Sequence, residues 1–477
     1  MKAPFSSYLD ALTPGLRKLL DILSADYDYV SILSTDSKGL NIRISTHAKT
    51  VGNQTMMTER GTVIRVAKDG FYSEYALNRF DPEHPEACAE AVRKTLDSQI
   101  SLLKNTGAAI YETGILSDEP LTLFSERDTE QLPEEADLPS LVEKLSQISA
   151  KTMSLSEYLL DCTVTAQSTH ISKLFLTKNR YLRQSYVYSE GSVVAIASKN
   201  GQNKFGYDSL SGLGGPEFFD GLDEKAESAV KSALLMLDAD RIVPGEYEII
   251  TSPDVTGLIA HEAFGHGVEM DMFVKGRALG ADYIGKRVGS DLVTMHEGAL
   301  CADNVTSFAF DDEGVPAGDV IEIDHGILKT GICDALSAKR LGTMPTGNGK
   351  RENYAHKVYT RMTNTLFDTG TDSLEDMIAS VKHGYLLEGV QSGMEDPKHW
   401  GIQCIIQMGR EIIDGKLTGK IVSPVIMTGY VPDLLGSISM AGTERKVFGS
   451  GGCGKGWKEW AKVTDGGPYL KTVGRLG

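Results

Sequence analysis

The stretch His261-Glu262-Ala263-Phe264-Gly265-His266-Gly267-Val268-Glu269-Met270-Asp271 is the most informative part of the chain. It contains two histidines five residues apart, and a glutamate directly follows the first of them. Histidines four residues apart, as in an HExxH helix, share one face and can bind the same metal ion. Five steps along a regular α-helix turn by about 500°, which leaves the two side chains about 140° apart. A shared metal ion therefore requires an irregular backbone here.

Two kinds of irregular backbone would bring these histidines together. An inserted residue in a π-bulge restores the i, i+4 relationship, and such bulges are frequent at functional sites. Alternatively, the helix ends near Phe264 and His266 lies on the following turn. Gly265 and Gly267 permit either conformation, because glycine tolerates unusual backbone angles. The sequence leaves both alternatives open.

Two histidines do not complete a catalytic zinc site, which usually has three protein ligands and one position for water. Cys453 is a candidate because it lies in a glycine-rich segment, residues 449–456, and because metal binding deprotonates a thiol. Spacing alone does not select it. The candidates for the third ligand are Glu269, Asp271, His325, His356 and Cys453.

Three separate motifs resemble those of one family. HEAFGHGVEMD at 261–271 resembles the metal-binding signature of the TldD/PmbA metallopeptidases. PTGNGKRENYAH at 345–356, followed by TRMTNT at 360–365, resembles a second hallmark of TldD-type members. GGCGKG at 451–456 resembles the C-terminal cysteine motif of the family. The chain is therefore identified as a TldD-type member, since PmbA-type partners lack the histidine motif.

The family resemblance implies a site and an activity. His261, His266 and Cys453 would bind Zn²⁺, and Glu262 would be the catalytic base in the hydrolysis of unfolded or short peptides. Tyr354 and His356, in the second motif, are candidates for contacts with the peptide. The resemblance also implies a two-domain subunit in a homodimer, or in a heterodimer with a zinc-lacking paralogue, enclosing a chamber.

Several interpretations stay open beside this one. Glu269 and Asp271 either orient the ligand histidines or are solvated charges. The chain is alternatively a regulatory or peptide-binding subunit whose zinc is structural, or a hydrolase that uses Cys453 as a nucleophile. A second His-Glu pair, His296-Glu297, has Leu300 and Cys301 where another histidine would be needed, so the sequence assigns it no metal role.

Composition excludes several classes of protein. The 477 residues include 48 Lys and Arg against 65 Asp and Glu, a net charge of −17, which argues against direct nucleic-acid binding. No run approaches the ~18 apolar residues of a membrane span. Asp10 interrupts any signal-like apolar region, and the six cysteines form no CxxC pair. We expect a cytoplasmic protein with reduced cysteines and no membrane association.

The hydrophobic pattern predicts an α+β fold. A mixed α/β domain over residues 1–243 is followed by a β-rich catalytic domain over 244–477 that carries the metal-site helix, with Pro244-Gly245 at the boundary. Asn200-Gly201 predicts a β-hairpin. A second hairpin is expected around a turn at Asp36–Gly39. Leucines at helical spacing predict a helix near the N-terminus, at Leu16, Leu19, Leu20 and Leu23.

Overall fold

The fold is given by a computed structural model that describes residues 1–455 and 459–477. Gly456, the last residue of the cysteine motif, therefore lies outside the described residues. Helices and strands mix in both halves of the chain, which confirms the predicted α+β class. Among the described residues, no helix is both long enough and apolar enough to cross a membrane.

The N-terminal half is built on one large, mainly antiparallel sheet. Its strands follow the order β4-β3-β1-β6-β7-β5, with β2 beside β1 and β8 beside β7. The strands are β1 (Tyr29–Ile44), β2 (Lys49–Gly52), β3 (Arg60–Lys68), β4 (Phe71–Leu77), β5 (Leu121–Glu126), β6 (Leu159–Leu176), β7 (Arg180–Lys199) and β8 (Gln202–Leu213). The helices are α1 (Ser7–Leu23), α2 (Pro85–Asn105), α3 (Leu138–Met153) and α4 (Leu222–Leu237).

The predicted N-terminal helix is present as α1. It begins after Ser6, whose hydroxyl accepts a hydrogen bond from the backbone N–H of Leu9. Leucines at helical spacing form its buried face, which packs with α2 and the sheet into one hydrophobic cluster. Burial of this apolar stripe is the main source of the stability of the helix.

One predicted hairpin is correct and the other is wrong. Asn200 and Gly201 both have positive φ, 52° and 77°, and connect β7 to β8. By contrast, β1 runs without a turn through Asp36–Gly39, and this segment pairs with Ser172 to Thr169 of β6. Strand pairing on both sides of β1 outweighs the local turn preference. Gly39 is needed there for close packing, because a Cβ atom would lie 2.3 Å from Oγ1 of Thr58.

The C-terminal half is richer in short strands. Its helices are α5 (Pro253–Ala260), α6 (Asp271–Val274), α7 (Ala335–Leu341), α8 (Leu374–Ser380) and α9 (Val431–Gly436). Its strands are β9 (Gly245–Thr251), β10 (Met295–Glu297), β11 (Val320–Asp324), β12 (Ile327–Leu328), β13 (Gly349–Lys350), β14 (Tyr359–Thr360), β15 (Asn364–Phe367), β16 (His383–Asp396), β17 (Gly401–Ile413), β18 (Lys416–Val422), β19 (Val425–Tyr430), β20 (Met440–Ala441), β21 (Lys446–Phe448), β22 (Gly452–Lys455), β23 (Glu459–Lys462), β24 (Thr464–Gly467) and β25 (Leu470–Leu476).

Two sheets and two small hairpins organise these strands. The first sheet has the order β16-β9-β25-β19-β17-β18, and β16 also pairs with β17, so that five strands close into a ring. The second has the order β12-β11-β10-β15-β24-β21, while β13 pairs with β14 and β22 with β23. In the described part of the chain, β1–β8 pair with one another and β9–β25 pair with one another. The domain boundary at residues 243 and 244 stays a prediction.

Buried ion pairs connect the two halves. Arg351 donates to both carboxylate oxygens of Glu74, and its Nη1 atom lies 2.9 Å from Oε2. Arg65 of β3 pairs with Glu313 of the C-terminal half. The Tyr354 ring packs against Gly61, where a Cβ atom would lie 2.1 Å from the ring. The second sequence motif therefore lies where the halves meet.

Candidate metal centre

The histidine segment continues α5 as a π-helical turn. His261–Gly265 is π-helical, and the N–H of His266 donates to the carbonyl of His261, five residues earlier. This is the first of the two alternatives that the sequence left open; a 3₁₀ turn over His266–Val268 follows. Gly265 allows the close packing, since a Cβ atom there would lie 2.1 Å from Sδ of Met362. The extra residue places both histidine rings on the same side.

Cys453 lies on β22, next to the two histidines. Potential ligand atoms of His261, His266 and Cys453 all lie within 4.8 Å of one another. Sγ of Cys453 is 3.2 Å from Nε2 of His266, and the two imidazole centroids are 5.0 Å apart. Bond lengths of about 2.3 Å to sulfur and 2.0–2.1 Å to nitrogen place such atoms about 3.5 Å apart around tetrahedral zinc. The spacing fits one such ion.

Glu269 orients one of these histidines. Its Oε2 atom is 3.1 Å from Nδ1 of His266, which leaves Nε2 facing Cys453. Carboxylates commonly hold a metal-binding histidine in this way. Asp271 contacts Lys455 and Lys275 instead of the histidines. Glu269 and Asp271 are both buried, so neither is a solvated charge.

Two cations fix the strand that carries Cys453. Nζ of Lys455 lies 3.0 Å from Glu269 and 2.7 Å from Asp271, and it therefore ties β22 to the segment that follows His266. Nη2 of Arg361 donates to the carbonyl oxygen of Cys453 at 2.7 Å. Both anchors involve buried groups, so the cysteine has little freedom to move away from the histidines.

The electrostatics of the cluster favour a thiolate. Burial disfavours the charged thiolate, but His266 and His261 outweigh this effect and hold the pKa of Cys453 well below its ordinary value. Burial likewise opposes protonation of His266, yet Cys453 and Glu269 raise its pKa well above the ordinary value. Nδ1 of His261 is buried without a hydrogen-bond partner among the described residues. A thiolate and two imidazoles are a donor set that suits zinc.

Glu262 lies beside this cluster and against β16. The residue is 7% exposed. A Cβ atom added to Gly393 would lie 2.6 Å from Cγ and 2.8 Å from Oε1 of Glu262, so glycine leaves the room that this carboxylate occupies. The arrangement places a carboxylate next to three potential metal ligands, a combination that can activate water.

A second carboxyl group, that of Glu395, was not foreseen from the sequence. It follows Gly393 on β16 and lies near Gly267, where a Cβ atom would be 2.9 Å from its Oε1. Burial raises the pKa of Glu395 to about 9; His266 opposes this rise and Glu262 adds to it. Neither carboxyl oxygen has a hydrogen-bond partner among the described residues. Burial therefore favours the uncharged form of this carboxyl group.

The remaining sequence candidates lie apart from the cluster. The N–H of Tyr354 donates to Oε2 of Glu59 at 2.6 Å, and its ring packs on the N-terminal half. His356 lies 3.7 Å from Glu459, which is on the hairpin partner of the Cys453 strand. His325 is exposed next to Asp324. Peptide contacts by Tyr354 and His356 stay predictions.

Other residues of the site carried only weak sequence signals. Arg361 lies within the TRMTNT motif, and Lys455 follows Cys453 by two positions, so the motifs contained them without assigning them a role. Glu395 lies near the end of the long β16 strand and had no signal of its own. Its position depends on how the β16–β17 hairpin folds over the π turn.

Comparisons with known proteins find relatives that are named metalloproteases. A family model described as the PmbA/TldA metallopeptidase C-terminal domain matches residues 244–468. A metalloprotease TldD homologue from Buchnera aphidicola is 33% identical over 49% of this chain and 48% of its own length. A metalloprotease from Synechocystis is 26% identical over 96% of each chain. The chain spans about half to three fifths of the length of the first curated relatives it matches, 61% and 48%.

The whole fold also has a solved counterpart. The crystal structure of TldE from Thermococcus kodakarensis matches with a TM-score of 0.77 and covers 97% of this chain and 100% of its own. The sequences are 18% identical, so this likeness shows the fold alone.

Proposed function

The chain belongs to the TldD/PmbA family, and on that premise we propose that it is a zinc-dependent metallopeptidase acting on unfolded or short peptides. One observation carries the proposal: two histidines and a distant cysteine converge beside a buried carboxylate. His261, His266 and Cys453 would hold the ion. A zinc ion with three protein ligands and one free position supplies Lewis-acid polarisation of a carbonyl and acidifies water.

Glu262 is the general base of the proposed reaction. It directly follows His261 and is held against Gly393. Its carboxylate takes a proton from the attacking water and passes that proton to the leaving amine. Glu269 keeps His266 in the orientation that directs Nε2 towards Cys453.

The edge of β16 is the proposed docking strand for the peptide. β16 pairs with β17 along its whole length, from His383 to Asp396, but with β9 only from Gly384 to Leu387. Past Leu387, this second edge of β16 has no strand partner within residues 1–455 and 459–477. An extended peptide that pairs with this edge would be held mainly by main-chain hydrogen bonds and would pass Gly393, next to Glu262.

The experiment combines metal analysis with mass spectrometry of an unstructured peptide mixture before and after incubation. We expect zinc in the purified protein and cleavage that stops when a chelator removes the zinc. Glu262→Gln should keep the zinc and lose activity by about 10²–10⁴-fold, the usual contribution of general base catalysis. Full peptide hydrolysis by this variant would refute the role of Glu262.

The same experiment distinguishes the metallopeptidase from two alternative functions. A regulatory or peptide-binding subunit with structural zinc would keep its metal and cleave no peptide. A hydrolase using Cys453 as a nucleophile would keep its activity without zinc and lose it after thiol alkylation. The proximity of Glu262 to three potential ligands supports the metallopeptidase over both.

We also propose that the active form is a dimer, either of this chain or with a zinc-lacking paralogue. The family resemblance of the three sequence motifs supports this proposal. Light scattering of the purified chain, alone and after co-expression with a paralogue, tests it. A monomer that cleaves peptides at full rate would contradict it.

A further inference from the structure

A second group of potential metal ligands lies on the sheet that contains β10, β11 and β15. We propose that His296, Cys301 and Asp319 bind a second divalent cation, with zinc as the best fit. Their potential ligand atoms all lie within 4.8 Å of one another. From the sequence alone, His296 has no metal role, because no second histidine follows at the required spacing. The fold supplies a thiol and a carboxylate in its place.

The distances define one small group of donor atoms. Nδ1 of His296 is 2.8 Å from Oδ1 of Asp319, and Sγ of Cys301 is 3.0 Å from the same oxygen. Nitrogen and sulfur from residues 296–301 and oxygen from Asp319 thus lie close together. Zinc accepts all three donor types, and it is usually four-coordinate, so one position would remain for water.

Asp368 holds the other side of the histidine ring. Its Oδ2 atom lies 3.3 Å from Nε2 of His296, while Arg445 is 3.6 Å from its other oxygen, Oδ1. With a cation bound to Nδ1 in place of the proton shared with Asp319, the remaining ring proton would be on Nε2, which faces the Asp368 carboxylate. This carboxylate–histidine arrangement is a recurring feature of metal sites, and it parallels the contact of Glu269 with His266 at the first centre.

The strand geometry explains why His296 can bind at the proposed second site while the adjacent Glu297 cannot. His296 lies on β10 between Ile321 of β11 and Leu366 of β15. Successive side chains of a strand point to opposite faces of the sheet. Glu297 therefore points to the other face, where it accepts a hydrogen bond from the N–H of Thr363 at 2.6 Å.

Charge and exposure suit a site in exchange with solvent. A thiolate from Cys301 and the carboxylate of Asp319 balance a 2+ ion, and the thiol proton leaves to solvent when the metal–sulfur bond forms. The side chains of His296 and Asp319 are 18% and 46% exposed, so an ion could enter without unfolding. We therefore expect this site to lose zinc to a chelator more readily than the buried first centre.

The test is the number of zinc ions bound per chain, measured for the full-length, untagged protein by elemental analysis after zinc titration and gel filtration. We expect two ions for the wild type, one for Cys301→Ser and one for Cys453→Ser. Cys88→Ser, a matched control on α2, should keep two. Replacement of zinc by Co²⁺ should give sulfur-to-metal absorption that each of the two site variants reduces by about half.

The outcomes distinguish this proposal from the proposed function. One ion in the wild type that Cys301→Ser retains, or two ions in Cys301→Ser, would overturn the second site and leave the first untouched. If the second site binds zinc and the first centre does not, the wild type will hold one ion, and Cys301→Ser will hold none. Should Cys301→Ser fail to fold, Asp319→Asn gives the same test, and Asp368→Asn should weaken zinc binding at this site by about 10–100-fold.

Discussion

Sγ of Cys453 lies 3.2 Å from Nε2 of His266, although 187 residues separate them in the chain. Two features produce this contact. A π turn moves His266 to the side of His261, and Lys455 ties the cysteine strand to Glu269 and Asp271. The proposed metal centre is therefore held from both directions before any ion binds, which lowers the cost of ordering the ligands.

Glu269 should tune metal affinity through His266. We expect Glu269→Gln to weaken zinc binding by about 10–100-fold, because the ring loses the charged acceptor that fixes its orientation. Competition with a chromophoric chelator measures the affinity. Asp271→Asn is the matched control, since Asp271 shares Lys455 with Glu269 but does not contact His266. Equal losses in both variants would show that the ion pair with Lys455 matters, and not the contact with His266.

Gly393 should be needed for activity and not for metal binding. A Cβ atom at this position would lie 2.6 Å from Cγ of Glu262, so Gly393→Ala displaces the carboxylate. Misplacement of a catalytic group by about 1 Å costs about 10²-fold in rate, and we expect that loss in kcat with unchanged zinc content. Gly401→Ala is the control from the same hairpin, because a Cβ atom there meets nothing within 4 Å. Full activity of Gly393→Ala would argue against the assigned position of Glu262.

Gly61 should matter for the contact between the halves. A Cβ atom here would lie 2.1 Å from Cγ of Tyr354. We expect Gly61→Ala to lower the free energy of unfolding by about 1–3 kcal/mol, the usual cost of overpacking, in denaturant titrations. Gly52→Ala, where a Cβ atom meets open space, should show no such loss. Without the Tyr354 ring, the alanine at position 61 should cost nothing: the double variant Gly61→Ala/Tyr354→Ala should have the same free energy of unfolding as Tyr354→Ala alone. A lower value for the double variant would mean that the clash with the ring does not cause the loss of stability.

Stability should rise with pH between about 7 and 10 through Lys350. Burial, with Arg361 adding to it, lowers the pKa of Lys350 to about 7 in the folded protein, whereas its ordinary value is 10.5. In this range the unfolded chain binds the proton and the folded protein does not, so the free energy of unfolding increases with pH. The buried Nζ atom donates to the carbonyls of Met362 and Lys462.

Lys350→Met isolates this effect. We expect the variant to show a smaller increase in the free energy of unfolding than the wild type between pH 7.5 and 9.5, a range chosen from the ordinary and lowered pKa values of lysine. Denaturant titrations at both pH values give the comparison. Parallel pH dependence in the two proteins would mean that Lys350 is charged in the folded state.

Local patterns determined the features that depend on neighbouring residues. The α+β class follows from alternating and helical spacing of apolar residues, and Asn200-Gly201 specified its hairpin because both residues tolerate positive φ. The spacing of His261 and His266 predicted an irregular helix, because a regular one would not let both side chains bind one ion. These properties are encoded within a few residues, so one sequence is enough to read them.

Packing between distant segments decided the rest. The turn expected at Asp36–Gly39 gave way to pairing with β6, because partners on both sides of a strand outweigh a local preference. The π turn, the position of Cys453, the burial of Glu395 beside the site and the proximity of His296 to Cys301 and Asp319 all depend on such contacts. Spacing along the chain does not predict these contacts, because each contact forms only when separate elements fold against one another.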